Sequence, residues 1–174
     1  RYEGLATDGN ILVAVGAYFE EDGTDPDGDG DSYEGIIYSS GDGVTWTERL
    51  INVPIENSGL EDDFLFAEYV NGRFIAGGKQ GLLASSTDGI TWTVHDTPFE
   101  SWMFGAVFFN GNYYLPGRQG ILHKTPNFTD WEDVQTESTQ TLQDIFLADG
   151  RMLAGGRDGL IVLSDDGASW PAVN

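Results

Sequence analysis

The chain has 174 residues, of which 29 are aspartate or glutamate and 8 are lysine or arginine, so its formal net charge at pH 7 is −21. Such a charge repels nucleic-acid phosphates and anionic lipid head groups, which argues against partners that need a basic surface. Apolar residues make up 40% of the chain and supply a folded core, while the lack of cysteine excludes disulfides and thiolate chemistry. We therefore expect a single folded domain over 1–174, with no nucleic-acid partner and no membrane insertion.

Two markers recur along the sequence with one spacing. The first is a short turn tract that ends in tryptophan, at Trp46, Trp92, Trp131 and Trp170, which lie 46, 39 and 39 residues apart. The second is a hairpin dipeptide, at Asp8-Gly9, Asn71-Gly72, Asn110-Gly111 and Asp149-Gly150, whose glycines lie 63, 39 and 39 residues apart. Two independent markers with the same period indicate four copies of one structural unit.

Each repeat is predicted to form four short antiparallel strands. In the second repeat we expect strands over 64–70, 73–77, 82–85 and 91–95, and Asn71-Gly72 supplies the positive φ angles of a type I′ turn. No segment keeps a helical period, and Pro171 requires the last strand to be an edge strand. A four-stranded antiparallel unit that recurs about every 40 residues is typical of a β-propeller blade.

The predicted fold class is all-β, a β-propeller with four four-stranded blades that is either a complete small propeller or part of a larger ring. The predicted blades are 1–59, 60–98, 99–138 and 139–174. The first blade is longer than the others because it carries an insertion over 17–33 between its second and third strands.

The tryptophan tracts resemble the Asp-box, or BNR, repeat of sialidases, related glycosidases, photosystem II assembly factors and many secreted propellers. The matching residues are Ser40, Asp42, Trp46, Ser86, Asp88, Trp92, Asn127, Trp131, Ser164, Asp166 and Trp170. We interpret them as structural, because aspartate and serine oxygens accept amide hydrogens of their own turn, glycine takes the left-handed position and tryptophan packs beneath. The third copy has Asn127 and no glycine, so we expect its turn to be looser.

The insertion in the first blade is strongly acidic. Asp25, Asp27 and Asp29, followed by glycine, reproduce the start of a D-x-D-x-D-G calcium loop, and its place between two strands resembles the loops of integrin propeller blades. The twelfth position, where an EF-hand has its bidentate glutamate, is Ile36, so an acid between Asp29 and Ile36 would close the site. The hypothesis is a Ca²⁺ site formed by Asp25, Asp27, Asp29, Asp31 and Glu34. The alternative is a solvated acidic loop without a metal.

Three of the eight basic residues keep the 39-residue period. Lys79, Arg118 and Arg157 fall in the turn between the second and third strands of their repeats. The up-and-down order of the strands places these turns on the same side as the acidic insertion and the link that contains Trp102. We interpret Lys79, Arg118, Arg157 and Trp102 as a candidate surface for a ligand or partner. The alternative is that each cation pairs with a neighbouring carboxylate.

The sequence shows no catalytic constellation. The Arg-Ile-Pro segment of sialidases is absent, and Glu68 and Tyr69 are adjacent on a strand and would face opposite sides. We interpret His95 and His123 as ordinary strand residues, and a glycosidase carboxylate pair among the 29 acids stays open.

The sequence thus predicts a non-catalytic binding or assembly module, extracellular or on a cell surface, that Ca²⁺ stabilises. Its partner would be another protein, or a second copy joined through open blade edges. One alternative is a carbohydrate-binding propeller, either lectin-like or a degenerate glycosidase. A third interpretation is an assembly factor with Asp-box repeats.

Overall fold

The computed structural model describes residues 1–19, 33–50 and 63–173, and all of its strand pairs are antiparallel. The described residues form no α-helix, and none of them belongs to a helix long and apolar enough to cross a membrane. The chain forms two compact units, Arg1–Glu100 and Ser101–Asn174, and each unit contains two sheets. The prediction of an all-β chain with four antiparallel sheets is confirmed.

The first unit holds sheet 1 and sheet 2. The strands of sheet 1 are β1 (Tyr2–Thr7), β2 (Leu12–Phe19), β3 (Tyr33–Ser40) and β4 (Thr47–Leu50). Those of sheet 2 are β5 (Phe64–Val70), β6 (Arg73–Gly78), β7 (Leu83–Ser86) and β8 (Thr93–Val94). Each strand pairs with the next one in sequence, and the strands of sheet 2 end within two residues of their predicted ends.

The second unit holds sheet 3 and sheet 4. Sheet 3 consists of β9 (Val107–Phe109), β10 (Asn112–Pro116), β11 (Ile121–Thr125) and β12 (Glu132–Gln135). Sheet 4 consists of β13 (Leu142–Ala148), β14 (Arg151–Gly156) and β15 (Ile161–Ser164). In place of the expected fourth strand, the described residues show a single bridge between Val162 and Ala172. Pro171 has no N–H for a longer ladder, although its carbonyl accepts a hydrogen bond from the Leu163 amide at 3.1 Å.

Each unit is held together by one face of its earlier sheet against one face of its later sheet. We call the face of a sheet that packs on the next sheet in the chain its forward face. The opposite face, which packs on the preceding sheet, is its rear face. In the first unit the forward face of sheet 1 brings Val13, Val15 and Ile37, and the rear face of sheet 2 brings Phe74, Ala76 and Ala84. In the second unit the two faces bring Val107, Tyr114, Leu122 and Val134 together with Ile145, Met152, Ala154, Val162 and Trp170. These side chains are all buried, so two separate cores carry most of the apolar packing.

Three of the four hairpins between first and second strands have the predicted turn. Asn71 and Gly72 have φ angles of 52° and 72°, and the pairs Asn110-Gly111 and Asp149-Gly150 also have positive φ angles. The first hairpin differs, because four residues separate the paired Thr7 and Leu12 and only Gly9 has a positive φ. There the Asp8 carboxylate closes the turn by accepting the amide hydrogens of the two residues that follow Gly9, each at 2.8 Å.

The first strands of sheets 1, 2 and 4 share a one-residue bulge. In these strands Tyr2, Phe64 and Leu142 pair with Gly16, Gly78 and Gly156. The next paired residue of the first strand lies two positions further on, whereas the partner strand advances by one. A Cβ on Gly16 would overlap the carbonyl oxygen of Arg1, and one on Gly78 that of Asp63, the residues just before the opposite strands, so the bulge requires glycine there.

Candidate functional site

The three cationic turns lie between the second and third strands, as predicted, and share one backbone geometry. Each cation is followed by a residue with a left-handed φ, at Gln80 (53°), Gln119 (58°) and Asp158 (55°), and then by a glycine that also has positive φ. In the first of these turns the Leu82 amide donates to the Lys79 carbonyl at 2.8 Å. The backbone position of the three cations is therefore the same in each repeat, whereas the contacts of each side chain depend on the residues around it.

Lys79 lies in a buried ion pair. Its Nζ is 2.6 Å from Oδ2 of Asp63, and the Lys79 and Asp63 side chains are only 10% and 1% exposed. Arg1 donates to the same oxygen at 2.9 Å. For Lys79 the structure thus favours the alternative of an ion pair with a neighbouring carboxylate, in which this lysine stabilises the first unit and is not presented to a ligand.

Arg118 lies over the ring of Trp102. The guanidinium carbon is 3.9 Å from the ring centroid, which is a cation–π contact between two of the predicted site residues. Arg118 is exposed and Trp102 is half-buried beside Phe104. The backbone amide of Arg118 also donates to the hydroxyl of Ser101 at 3.4 Å, which ties the turn to the segment that carries Trp102.

Arg157 occupies the equivalent turn of sheet 4 and is exposed. Its backbone amide donates to the Thr141 carbonyl at 3.3 Å. Within the second unit the structure therefore brings Arg118 and Trp102 together, whereas Lys79 lies in the first unit.

The predicted structural tracts form one kind of turn. Asp88 Oδ1 accepts the amide hydrogens of Ile90 at 2.8 Å and Thr91 at 2.7 Å, and the Ser86 hydroxyl accepts that of Gly89 at 2.9 Å. The tracts around Ser40 and Asp42, and around Ser164 and Asp166, make the corresponding bonds. The amides of Thr91 and Ile90 lower the pKa of Asp88 to about 2, so its carboxylate is charged at neutral pH.

The third tract forms the same turn with different residues, so the expectation of a looser turn is wrong. Asn127 Oδ1 accepts the amide hydrogens of the two residues after Phe128, each at 2.9 Å. Thr125 takes the place of serine and accepts the Phe128 amide at 2.8 Å. Phe128 adopts the left-handed φ of 63° in place of glycine, and its buried ring stacks on Tyr113 with centroids 4.6 Å apart.

The four tryptophans are not equivalent in burial. Trp170 is 2% exposed and its indole N–H donates to the Gly167 carbonyl at 3.3 Å, so it packs beneath its turn as expected. Trp92 and Trp131 are partly buried, and Trp92 packs on the core of the first unit. Trp46 is 38% exposed, so it does not pack beneath its turn as Trp170 does.

Both histidines have hydrogen-bonded partners that the sequence interpretation missed. His123 Nδ1 is 2.7 Å from Oδ1 of Asp133, its cross-strand neighbour, and His95 Nε2 is 2.8 Å from the Ser85 hydroxyl. In each pair the two residues are ten positions apart in sequence, which is the span of a short hairpin. This spacing is the sequence signal from which the two pairs could have been predicted. Burial lowers the pKa of both imidazoles, and His123 is only 1% exposed, so it is closed to substrates.

The residues of the calcium hypothesis lie outside the described part of the chain. Asp25, Asp27, Asp29 and Asp31 fall in 20–32, and of Glu34 only the backbone, in β3, is described. Strand β2 ends at Phe19 and strand β3 begins at Tyr33. The first and last residues of the predicted insertion, 17–33, therefore belong to these strands. Among the described residues no group of three or more acidic or histidine side chains is placed to hold a metal.

No protein-family model and no curated protein matches the chain. Solved structures match it in fold. "YCF48 bound to D1 peptide" is 19% identical with a TM-score of 0.61, covering 98% of this chain and 51% of that one. The WD40 repeats of RRP9 are 12% identical with a TM-score of 0.64, covering 98% and 50%. A GH43_1 enzyme from Xanthomonas citri complexed with xylose is 11% identical with a TM-score of 0.54, covering 98% and 72%.

These similarities are too low in sequence to show more than the fold. Together with the four antiparallel meander sheets, they identify the chain as a β-propeller protein, so the predicted fold class is confirmed. The chain spans about half the length of the YCF48 and RRP9 structures that it matches.

Proposed function

We propose that this propeller is a non-catalytic binding module that takes a carboxylate-bearing peptide of a protein partner at Arg118 and Trp102. The observation that carries the proposal is the stacked pair itself, with the guanidinium 3.9 Å from the indole centroid on an exposed turn. Stacking holds the guanidinium in place while its N–H groups stay able to donate to a carboxylate. In a chain of net charge −21 an exposed, ordered arginine is a favoured place for an anionic group. The YCF48 propeller, solved with a bound peptide, supports this choice of ligand class.

The test is peptide binding followed by fluorescence anisotropy, with peptides of identical sequence that end in a free carboxylate or in an amide. We expect the free carboxylate to bind more tightly, and Trp102→Ala and Arg118→Met each to weaken binding about tenfold or more. Arg151→Met is the matched control, because Arg151 is an exposed arginine paired with Asp165 in the same unit. Equal affinity of the two peptide forms, or no effect of Arg118→Met, would refute the proposal.

An acidic sugar is the second candidate ligand for the same pair. An aromatic ring beside a guanidinium suits a sugar that carries a carboxylate, and the GH43_1 enzyme, solved with xylose, is a propeller match that holds a sugar. A glycan array separates the candidates, since binding to acidic glycans that Trp102→Ala abolishes would favour the sugar. The same pair would serve the third interpretation, an assembly factor that holds a segment of its client.

Ca²⁺ stabilisation and an extracellular or cell-surface location are part of the proposal. They rest on the D-x-D-x-D-G pattern at Asp25, Asp27 and Asp29, because calcium modules outside cells work at about 10⁻⁴ to 10⁻³ M. Millimolar CaCl₂ is expected to raise the melting temperature more than MgCl₂ of equal ionic strength, and Asp27→Asn is expected to abolish the difference. Asp149→Asn, in a hairpin turn, is the control. Equal effects of the two salts would disprove the calcium site.

A further inference from the structure

We infer that Asn127 is an N-glycosylation site, modified when the chain passes through a secretory compartment. Asn127-Phe128-Thr129 is the one Asn-x-Ser/Thr tract in the 174 residues, and such a tract is the sequence in which an asparagine accepts an oligosaccharide. The inference rests on the extracellular or cell-surface location in the proposed function. It uses neither Arg118 nor Trp102, so it and the proposed ligand site can fail separately.

The third tract differs from the other three at both residues that the modification needs. The others have an aspartate and, two positions later, an apolar residue, at Asp42 and Val44, Asp88 and Ile90, and Asp166 and Ala168. Asparagine keeps the turn, because its Oδ1 accepts the same two amide hydrogens. The turn uses the backbone amide of Thr129, and the apolar residues of the other tracts show that it needs no hydroxyl there. Turn formation therefore does not explain the threonine.

The folded turn has room and bonding capacity for the modified side chain. Asn127 and Thr129 are both exposed, whereas Phe128 between them is 4% exposed and holds the turn on the sheet. The Asn127 Nδ2 carries two hydrogens and donates to Oδ2 of Asp130 at 2.9 Å. Glycosylation replaces one hydrogen, leaves the other to donate and leaves Oδ1 as an acceptor. The two amide bonds that define the turn are therefore compatible with a glycan.

The co-substrate is a lipid-linked oligosaccharide, whose first sugar carbon is bonded to a diphosphate. In the transfer, Nδ2 of Asn127 forms a bond to that carbon and loses one proton. The bond between the carbon and the diphosphate oxygen breaks, and the lipid diphosphate leaves with the electron pair. No oxidant or reductant takes part. The product is a neutral amide that carries a bulky polar group, so the formal charge of the turn does not change.

The glycan and the proposed ligand site lie at opposite ends of β11. The turn of Arg118 comes directly before Ile121, the first residue of this strand, and Asn127 follows Thr125, the last one. A five-residue strand spans about 13 to 17 Å at about 3.3 Å per residue. A glycan at Asn127 therefore covers the turn at one end of sheet 3, and we expect it to leave peptide binding at Arg118 unchanged.

The test secretes the 174-residue chain from cultured eukaryotic cells behind a cleavable signal peptide and measures its intact mass before and after peptide N-glycosidase. We expect one oligosaccharide per chain, and we expect its enzymatic removal to leave aspartate at position 127. Thr129→Ser keeps the hydroxyl and is expected to keep the oligosaccharide. Thr129→Val and Asn127→Asp, which introduce the residues of the first tract, are expected to lose it completely. Chain retained inside the cells is measured in the same way after lysis.

Asn110→Asp is the matched control, because Asn110 is exposed in a hairpin turn of the same sheet and lies outside any Asn-x-Ser/Thr tract. Circular dichroism checks that all variants fold. An unaltered chain without oligosaccharide, or an oligosaccharide that persists in Thr129→Val, would overturn the inference. Peptide binding by the same preparations separates the two proposals. A glycosylated chain that does not distinguish the free carboxylate from the amide would refute the ligand site alone, whereas a chain that does so without a glycan would refute this inference alone.

Discussion

At the scale of single residues, the sequence predicts local chemistry better than burial. Serine and aspartate oxygens bond the amides of their own turns around Asp42, Asp88 and Asp166, because such bonds need only neighbours in sequence. Lys79 shows the limit. Its 39-residue spacing to Arg118 placed it in the correct turn, but its partner Asp63 precedes the first strand of the same sheet, and no spacing rule identified that contact.

The buried ion pair makes a quantitative prediction. Lys79→Met leaves the 1% exposed carboxylate of Asp63 with Arg1 alone, so we expect the free energy of unfolding in urea to fall by about 3 kcal/mol. Lys124→Met is the control, because Lys124 pairs with Glu132 at a similar distance, 2.8 Å, at the surface, and we expect a loss below about 1 kcal/mol. Equal losses in the two variants would contradict the burial argument.

The aspartate turns predict a dependence on acid. The pKa of Asp88 is about 2 in the folded protein and returns to its ordinary value of 3.8 on unfolding, so the folded state binds the proton less readily. Its contribution to stability is therefore complete above the ordinary value and is lost as the pH falls through about 2. We expect Asp88→Asn, which keeps the acceptor oxygen, to flatten the acid side of the melting profile.

The reciprocal change in the third tract is the control for this prediction. Asn127→Asp places a carboxylate under the same two amides, at 2.9 Å each, and should add an acid dependence of the same sign. Melting curves by circular dichroism between about pH 4 and pH 2 measure both variants. Identical profiles for all three proteins would show that these carboxylates do not couple to folding.

At the scale of strands and turns, the 39-residue repeat and the turn residues predicted where the strands lie. The elements that differ from the prediction do so because of local backbone geometry. Asn71-Gly72 forms the expected turn, whereas Asp8-Gly9 belongs to a four-residue connection, because the same dipeptide fits either loop length. Pro171 was expected at an edge, and it reduces the last strand to one bridge. The bulges were not predicted, since a glycine in a strand does not by itself reveal which residue it opposes.

Two equivalent turns separate backbone strain from crowding. Gly120 and Gly159 have φ angles of 72° and 75°, but a Cβ on Gly120 would overlap the Ser138 carbonyl, whereas none of the described atoms lies within 4 Å of one on Gly159. We expect Gly159→Ala to cost about 1 kcal/mol from strain alone and Gly120→Ala about 3 kcal/mol. Urea unfolding measures both, and equal costs would mean that the loop at Ser138 gives way freely.

At the scale of the whole chain, the fold could be predicted from the sequence, whereas the candidate site could be predicted only in part. Period alone indicated four sheets, because a repeated unit must bury its faces against its neighbours. The stacking of Arg118 on Trp102 needs two segments 16 residues apart to meet, and the sequence placed both residues on one side without showing their contact. The exposure of Leu5 and Phe146 became visible only with the structure, since leucine and phenylalanine also occupy covered strand positions.

The net charge of −21 predicts that salt stabilises the folded chain. Repulsion among 29 carboxylates is screened as the Debye length falls from about 30 Å at 0.01 M to about 3 Å at 1 M. We expect the melting temperature to rise steadily with NaCl at pH 7 and the rise to shrink near pH 4, where acids begin to protonate. A melting temperature that is flat in NaCl at pH 7 would show that the charges are already neutralised locally.

The shared bulge has a consequence for how such chains change over time. Gly16, Gly78 and Gly156 occupy the same position in the register of their sheets. A recombination between two repeats at this position would therefore keep the same residues on the buried face of each strand. Unequal recombination there would add or remove whole sheets without shifting the phase of any strand. Length in this molecule is thus easily varied, and variants that gain or lose one repeat should remain well folded.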